Sequence, residues 1–547
     1  MKRKIVILIV FGFLLVGCSD FLEVDPIAQE TEENFFEDPE NAVYAINAIY
    51  DVVAMYEGPG PDFQWLTHNY EFFYGDMLSD DSEKGSLVAD IQEIQEIIEW
   101  RSTPGNSVVE STWIKMYDGI YRANNALKQL ETSSLNEDLR TRLMGEAYFL
   151  RGYFYFYLVK VYGGVPVITT PVTPSEYGNI PRASYHESFE QVASDFSKAV
   201  DRLPLRYEAT NLGRATKGAA RTFLARTYMY QKGMDSEASV TWQDVYDQTK
   251  AVINSGQYSL ISNYAVTIEW EGQNQSGSIF ELQLLEGNTG NQPEKVGSNF
   301  HQFQGNRQDW GWGFNNPTQL LFDAFEPEDP RLSTTVYGPT YNNGVVHAVK
   351  RDYNINEQGT EYLNRKAALQ PVYRPALNKS SGKNLNKARY AEVLLMHAEA
   401  AYHLGMESEA RAMLEMVRSR ARNSTFAKGF NEGSLDYPST GFSNNLPEVT
   451  ASGENLLEAI WHERRVELAM EALRYWDLVR TGRYMDALKN IKNNVTNPGS
   501  EELKYSNVDL IGNAQSKSIQ GPNGPVPLLP IPLREQQDWN LEQNPGY

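Results

Sequence analysis

Cysteine is all but absent from this chain of 547 residues: Cys18 is the single one. No disulfide forms within it, and no cysteine metal cage exists. Histidine is sparse, with seven in all. His397 and His403 are six apart and do not share a helix face, and the spacing of two histidines four apart around a glutamate is missing. Positive charge is also short. Lys and Arg number 49 against 71 Asp and Glu, a net charge of −22. A field of that sign repels phosphate backbones, so nucleic acid is excluded as a partner. No phosphate-cradling glycine loop and no Gly-x-Ser-x-Gly elbow occurs. Long apolar runs are missing too, with one short exception at the start.

That exception is Ile5 to Val16, broken only by Gly12 and preceded by Lys2-Arg3-Lys4. It is too short to span a membrane comfortably and has the shape of a signal peptide. It closes on Leu15-Val16-Gly17-Cys18, which resembles the bacterial lipoprotein box. Residues 1–17 are therefore expected to be removed, with Cys18 lipidated as the new N-terminus. The chain is long enough for a large core, with 41% hydrophobic residues and 12% aromatics.

Apolar residues at three- and four-residue steps predict helices over 39–56, 107–131, 136–162, 185–203, 211–232, 387–404, 407–423 and 454–482. Small residues Ala398, Ala401 and Ala410, then Leu414 and Val417, match the spacing of a tetratricopeptide unit, which must stack on other helix pairs. Residues 57–106 and 256–385 lose this order and read as loops with a few short strands. Long irregular stretches of this kind usually carry function. The tail from Gly521 is proline-rich and reads as extended.

Several clusters invite chemistry. Asp76, Asp80, Asp81 and Glu83 could ligate calcium, a hard cation that takes oxygen ligands, but EF-hand spacing is absent and a solvated acidic loop is the expectation. Glu463 to Glu467 and Glu471 to Arg480 read as ion pairs along one long helix, with Trp476 on its buried stripe beside Leu457, Trp461, Leu468 and Ala472. His397, on an apolar stripe, reads as a satisfied core residue. No local motif selects a pair of glycosidase carboxylates. The aromatic loops say most about function. Phe63, Trp65, Tyr70, Phe72, Phe73 and Tyr74 crowd one segment, and Trp310, Trp312 and Phe314 crowd another, beside Asn306, Arg307, Gln308 and Asp309. Sugar rings have apolar faces and polar rims, which stacked aromatics and amide or guanidinium groups complement. Trp65, Tyr70, Arg307, Trp310 and Trp312 are thus candidate ligand residues, and Trp100 beside Arg101 is another. The alternative role for such rings is to pin their loops to the body.

The stretch Phe149-Leu150-Arg151-Gly152-Tyr153-Phe154-Tyr155-Phe156, running on to Tyr162-Gly163-Gly164-Val165-Pro166, resembles the SusD/RagB family. So do Arg389 to Met396, Glu463-Arg464-Arg465 with Arg474 to Arg480, Gly311-Trp312-Gly313-Phe314 with Asp329-Pro330-Arg331, and the ending Gln543 to Tyr547. The likeness runs in consistent order from Cys18 to Tyr547. It implies a mainly α fold: one body on tetratricopeptide-like helix pairs with a long irregular insertion, its N-terminal part at 18–235 and its C-terminal part at 236–547. It further implies a lipid-anchored protein on the outer face of the outer membrane, without enzymatic activity or cofactor. Such a protein would hold a glycan, or in some relatives a peptide, for a SusC-type TonB-dependent transporter. A surface glycoside hydrolase is the rival from another class.

Overall fold

The computed structural model describes residues 35–54, 70–173, 175–286, 297–307, 310–337, 359–375, 381–428, 436–438, 446–497 and 500–547. The expectations for residues 1–17, Cys18, Phe63, Trp65, Gln308 and Asp309 lie outside them.

Helix α1 (Pro39–Ala54) is followed by α2 (Tyr70–Gly75), strand β1 (Ser82–Gly85) and α3 (Gln92–Ile98). Then come α4 (Ser107–Thr132), α5 (Glu137–Tyr162), α6 (Tyr185–Arg202), α7 (Lys217–Met234) and α8 (Trp242–Asn254). Helices α4 to α8 each start on a side-chain cap: Asn106, Asn136, Ser184, Thr216 and Thr241 accept first-turn N–H groups. Ser184 with Glu187, and Thr241 with Asp244, close reciprocal capping boxes. Thr216 explains why α7 starts at Lys217 rather than near 211. Helix α8 is absent from the periodicity reading.

From Phe149 to Tyr162 every residue of α5 is buried, so the helix is apolar all round and sits at the centre. Its neighbours are α4 and α6. A Cβ on Gly119 of α4 would lie 2.3 Å from the Phe154 ring, so only glycine permits that approach. Arg151 enters this core because Asp195 of α6 meets it with two hydrogen bonds of 2.7 and 2.8 Å.

The second half contains β2 (Ser278–Leu282), α9 (Phe300–Gln304), β3 (Phe314–Pro317), α10 (Gln319–Phe322), α11 (Pro330–Thr335), β4 (Val336–Tyr337), β5 (Leu363–Asn364) and β6 (Leu385–Arg389). Next are α12 (Tyr390–His403), α13 (Glu407–Arg422), α14 (Glu454–Glu467), α15 (Arg474–Arg480), α16 (Tyr484–Asn494) and α17 (Leu510–Ser516). Strands β7 (Ser518–Gly521) and β8 (Gly524–Pro527) and helix α18 (Leu533–Trp539) end the chain. The tail is thus a hairpin and a short helix, not extended throughout. Among the described residues, strands pair only in antiparallel twos: β1–β3, β2–β6, β4–β5 and β7–β8. The chain is a mainly α body, as expected, with α12 and α13 packed as a pair across Gly405, whose φ of +76° is the left-handed stop.

The expected helix over 454–482 is broken. The carbonyl of Glu467 accepts from Tyr264, Lys366 and Arg389 side chains, which take the place of a helical N–H. Met470 and Ala472 then turn at φ of 59° and 61°, and the N–H of Ala472 donates to Asp76 at 2.8 Å. The ion pairs are correspondingly not those of one helix face. Glu463 and Glu467 bond Arg331 of α11, Arg418 and Arg420 come from α13, and Arg389 comes from β6. Arg480 with Asp477 is the local pair that remains. Trp476 is nonetheless buried, with the Lys160 ammonium 4.6 Å from its ring. His397 is a satisfied core residue, bonded to Thr249 at 2.8 Å and Glu409 at 3.1 Å.

Candidate functional site

The acidic segment Asp76 to Glu83 is buried, which corrects both the solvated loop and the calcium site. Its carboxylates face protein donors instead of water, arginines at Asp80 and Asp81. Asp80 bonds Arg474 at 2.8 Å, Asp81 bonds Arg465 at 2.6 Å, and Glu83 accepts from Tyr505 at 2.7 Å and from Lys504. Burial alone would raise Asp80, but Arg474 and Arg465 outweigh it and hold the carboxyl below its ordinary range. Among the described residues no group of three or more His, Cys, Asp or Glu is arranged to hold a metal.

This buried root carries a loop. Strand β1 pairs with β3 through Ser82 to Pro317 and Gly85 to Phe314. Asn315, at φ 58°, donates to Asp76 at 3.1 Å and to Gln304 at 2.8 Å, and accepts from Ser82 at 2.5 Å. Burial pushes Asp76 up to about 7. Before β3 the chain doubles back on α9. Gly313 N–H donates to Gly305 at 2.8 Å and Trp312 N–H to Gln302 at 2.9 Å. A Cβ on Gly311 would lie 2.2 Å from the Gly305 backbone, so both glycines are required. The Trp310 carbonyl lies at the pinned neck of this loop, against Gly305.

The two aromatic segments do meet, but through buried rings. Phe72 lies 5.6 Å from Phe300 and 5.5 Å from Phe303, and Phe303 stacks on Phe314 at 4.2 Å. Trp312 joins this cluster edge-on to Phe303 at 5.6 Å and is partly buried, as a ring that pins its loop would be. Arg307 is engaged with Asp90 at 2.6 Å and Ser86 at 2.9 Å. Tyr70 opens α2; its side chain lies outside the described residues, as does all of Trp65. Trp100 is withdrawn as a ligand ring. It is 1% exposed, and its indole N–H donates to Tyr484 at 2.8 Å inside the core. The ring packs on Tyr475 at 6.3 Å, and burying so large an apolar surface holds it inside the core.

Trp310 remains partly exposed, with the Arg374 guanidinium 5.6 Å from its ring centre. The next residue back, Tyr373, is stacked on Trp270 at 4.7 Å and 14° between planes, and both rings are partly exposed. Beyond Trp270, Glu271 accepts from Lys428 at 2.8 Å and Tyr437 at 3.1 Å. Trp310, Arg374, Tyr373, Trp270 and Glu271 thus alternate aromatic faces with charged hydrogen-bonding groups. Trp270, Tyr373 and Arg374 were not among the sequence candidates. The available signal is an aromatic residue beside a charged one, Trp270-Glu271 and Tyr373-Arg374, inside the irregular insertion.

Residues 20–229 match a family described as "Starch-binding associating with outer membrane", and residues 276–547 match the one described as "SusD family". SusD-like protein P38 of Formosa agariphila is 26% identical over 502 residues, covering 88% of this chain and 91% of that protein. A solved structure titled "Laminarin binding SusD-like protein" aligns with a TM-score of 0.69 at 26% identity, over 93% of this chain and 99% of that one. Surface glycan-binding protein A of Bacteroides thetaiotaomicron, solved with laminarihexaose, aligns with a TM-score of 0.69 at 21% identity, over 92% of this chain and 99% of that one. At that identity the likeness is one of fold. Among the described residues no helix is long and apolar enough to cross a membrane.

Proposed function

The chain belongs to the SusD/RagB family, and on that premise we propose that it is a lipid-anchored, non-catalytic outer-membrane protein that holds a glycan and passes it to a SusC-type TonB-dependent transporter. The observation that carries the proposal is the partly exposed strip of Trp310, Arg374, Tyr373 and Trp270. Rings of this kind cover the apolar face of a sugar, and the guanidinium and carboxylate beside them bond its hydroxyls. The relative that binds laminarin is the reason to begin the search for a ligand with β-glucans. The non-catalytic reading is supported by the fate of the conspicuous carboxylates. Glu463, Glu467, Asp80 and Asp477 are each closed into arginine pairs, leaving them to hold the fold together. The anchor rests on Cys18 behind its apolar run, and several acyl chains give stable attachment where one does not.

The test is a glycan and peptide screen of the purified protein, with laminarin as the first ligand and reducing ends assayed in parallel. The proposal predicts retention of a glycan with no release of reducing ends. Retention of peptides alone would overturn the ligand class, and new reducing ends would overturn the absence of catalysis. In cells, Cys18→Ser should leave the membrane fraction, and the native protein should co-purify with a large outer-membrane barrel.

A further inference from the structure

Behind the strip, on the other side of Asn364 and α9, lies a cavity of about 120 Å³. That is many times the ~10–15 Å³ that a single water needs. Its lining is basic, although the protein is strongly acidic: Lys366, Lys383, Lys387 and Arg389 face Glu71, Asp76 and Glu471. Most of these charges are matched. Lys387 bonds Glu71, while Lys366 and Arg389 both bond Glu471 at 2.7 Å. Asp76 is held by Asn315 and the Ala472 N–H. Lys383 is different. It is buried and its ammonium donates to the Ile268 carbonyl. Among the described residues no carboxylate lies within ion-pair distance of it, and the carboxylate that acts on it most, Glu269, is already bonded to Arg365 at 2.7 Å and to Gln370 at 2.9 Å. Burial pushes it down to about 8, so it is still largely charged near neutral pH. One wall of the same cavity is apolar, formed by Phe72 and Phe300 edge to face at 5.6 Å.

A buried cation whose acidic neighbour is held by an arginine is poorly compensated, and an anion that enters beside it offsets that cost. We propose that this cavity takes the carboxylate of an acidic sugar residue, a uronic acid, with Lys383 as its counter-ion and the partly buried ring of Phe300 against the apolar face of the sugar. A neutral hexose would satisfy Phe300 but bring no anion to Lys383. The choice of a sugar rests on the glycan-binding reading above; the choice of an acid rests on the lining of the cavity. The protein would then discriminate acidic from neutral sugars at a site separate from the strip that stacks the chain.

Calorimetry of the full chain in detergent tests this, with D-glucuronate and D-galacturonate against D-glucose and D-galactose. At least one acid should bind, and more tightly than its neutral counterpart by about tenfold or more, the worth of a hydrogen bond to a charged group. Lys383→Met should remove that preference with melting within a few degrees of the parent, since the ammonium bonds the Ile268 carbonyl and Glu269 keeps Arg365. Acetylation by acetic anhydride, read by mass spectrometry, supplies a second readout on the unaltered protein: the acid should protect Lys383 and the neutral sugar should not. The monosaccharides test the cavity and the glycan screen tests the strip, so failure of the strip and failure of the cavity are distinguishable. Equal binding of acid and neutral sugar, no binding of either acid at millimolar concentration, or acetylation of Lys383 unaffected by the acid would each overturn the proposal.

Discussion

In the helical body, Trp100, Trp113 and Trp476 are at most 2% exposed, and their rings sit among Tyr475, Tyr484, Tyr162 and the ammonium of Lys160. In the irregular insertion, Trp270, Tyr373 and Trp310 keep part of each ring at the surface, beside Arg374 and Glu271. The side-chain types are the same and the surroundings differ. Where regular helices surround a ring, packing consumes both of its faces. Where the chain turns on glycines and short strands, as at Gly305, Gly311 and Gly313, a ring is held at its base and left open on one side. Charges divide similarly. Arg331 is fully buried and meets Asp329, Glu463 and Glu467, whereas Arg374 lies across an exposed ring.

The largest effect that would sharpen this contrast is expected at Arg331. Arg331→Met leaves buried Asp329 without its arginine and takes one partner from Glu463 and from Glu467, which keep Arg418, Arg389 and Arg420; removing one partner of a buried pair costs about 3–5 kcal/mol. Chemical denaturation should show a loss of that size, and a loss under 1 kcal/mol, roughly the worth of an exposed pair, would show that the cluster is not structural. Trp476→Ala should cost about 3–5 kcal/mol as well, through the cavity it opens, while ligand affinity in the folded fraction is kept. Normal melting with lost binding would blur the division between body and strip. Trp100→Phe is milder. It keeps a ring but loses the bond to Tyr484, about 1 kcal/mol, and binding should not change.

A different kind of effect, read against pH, is expected at the root of the loop. Asp76 is raised from 3.8 to about 7 by burial. The folded state therefore binds this proton more tightly than the unfolded one. The resulting stability is fully present below about pH 4 and is lost as pH rises through about 7. Asp76→Asn should flatten that part of the stability profile, at the cost of one hydrogen bond with Asn315. A profile identical to that of the parent would remove Asp76 from this role.

The body was largely legible in the sequence. Helices α4 to α7 announce themselves through their period, and the small residues of α12 and α13 give their pairing. The break after Glu467 was not legible, because the periodicity runs on while Tyr264, Lys366 and Arg389, far away in sequence, take its terminal carbonyl. For the same reason Asp76 to Glu83 looked like a solvated patch: nothing local shows that Arg465, Arg474 and Lys504 come to meet it. The strip was half legible. Aromatic crowding pointed to Trp310, but it also pointed to Trp312 and Phe72, which are consumed by packing. Trp270 and Tyr373 are lone aromatics some hundred residues apart, and only the fold stacks them.

The account rests most directly on the affinity of a Trp270→Ala/Trp310→Ala double variant for the glycan found by screening, measured by calorimetry beside its thermal melt. Loss of one stacking anchor is worth about 1–3 kcal/mol, roughly five- to a hundred-and-fifty-fold in affinity. The account predicts at least that loss for the double variant, with melting unchanged within a few degrees. Binding within about twofold of the parent, well under the effect of a single anchor, would place the ligand elsewhere on the molecule and contradict it.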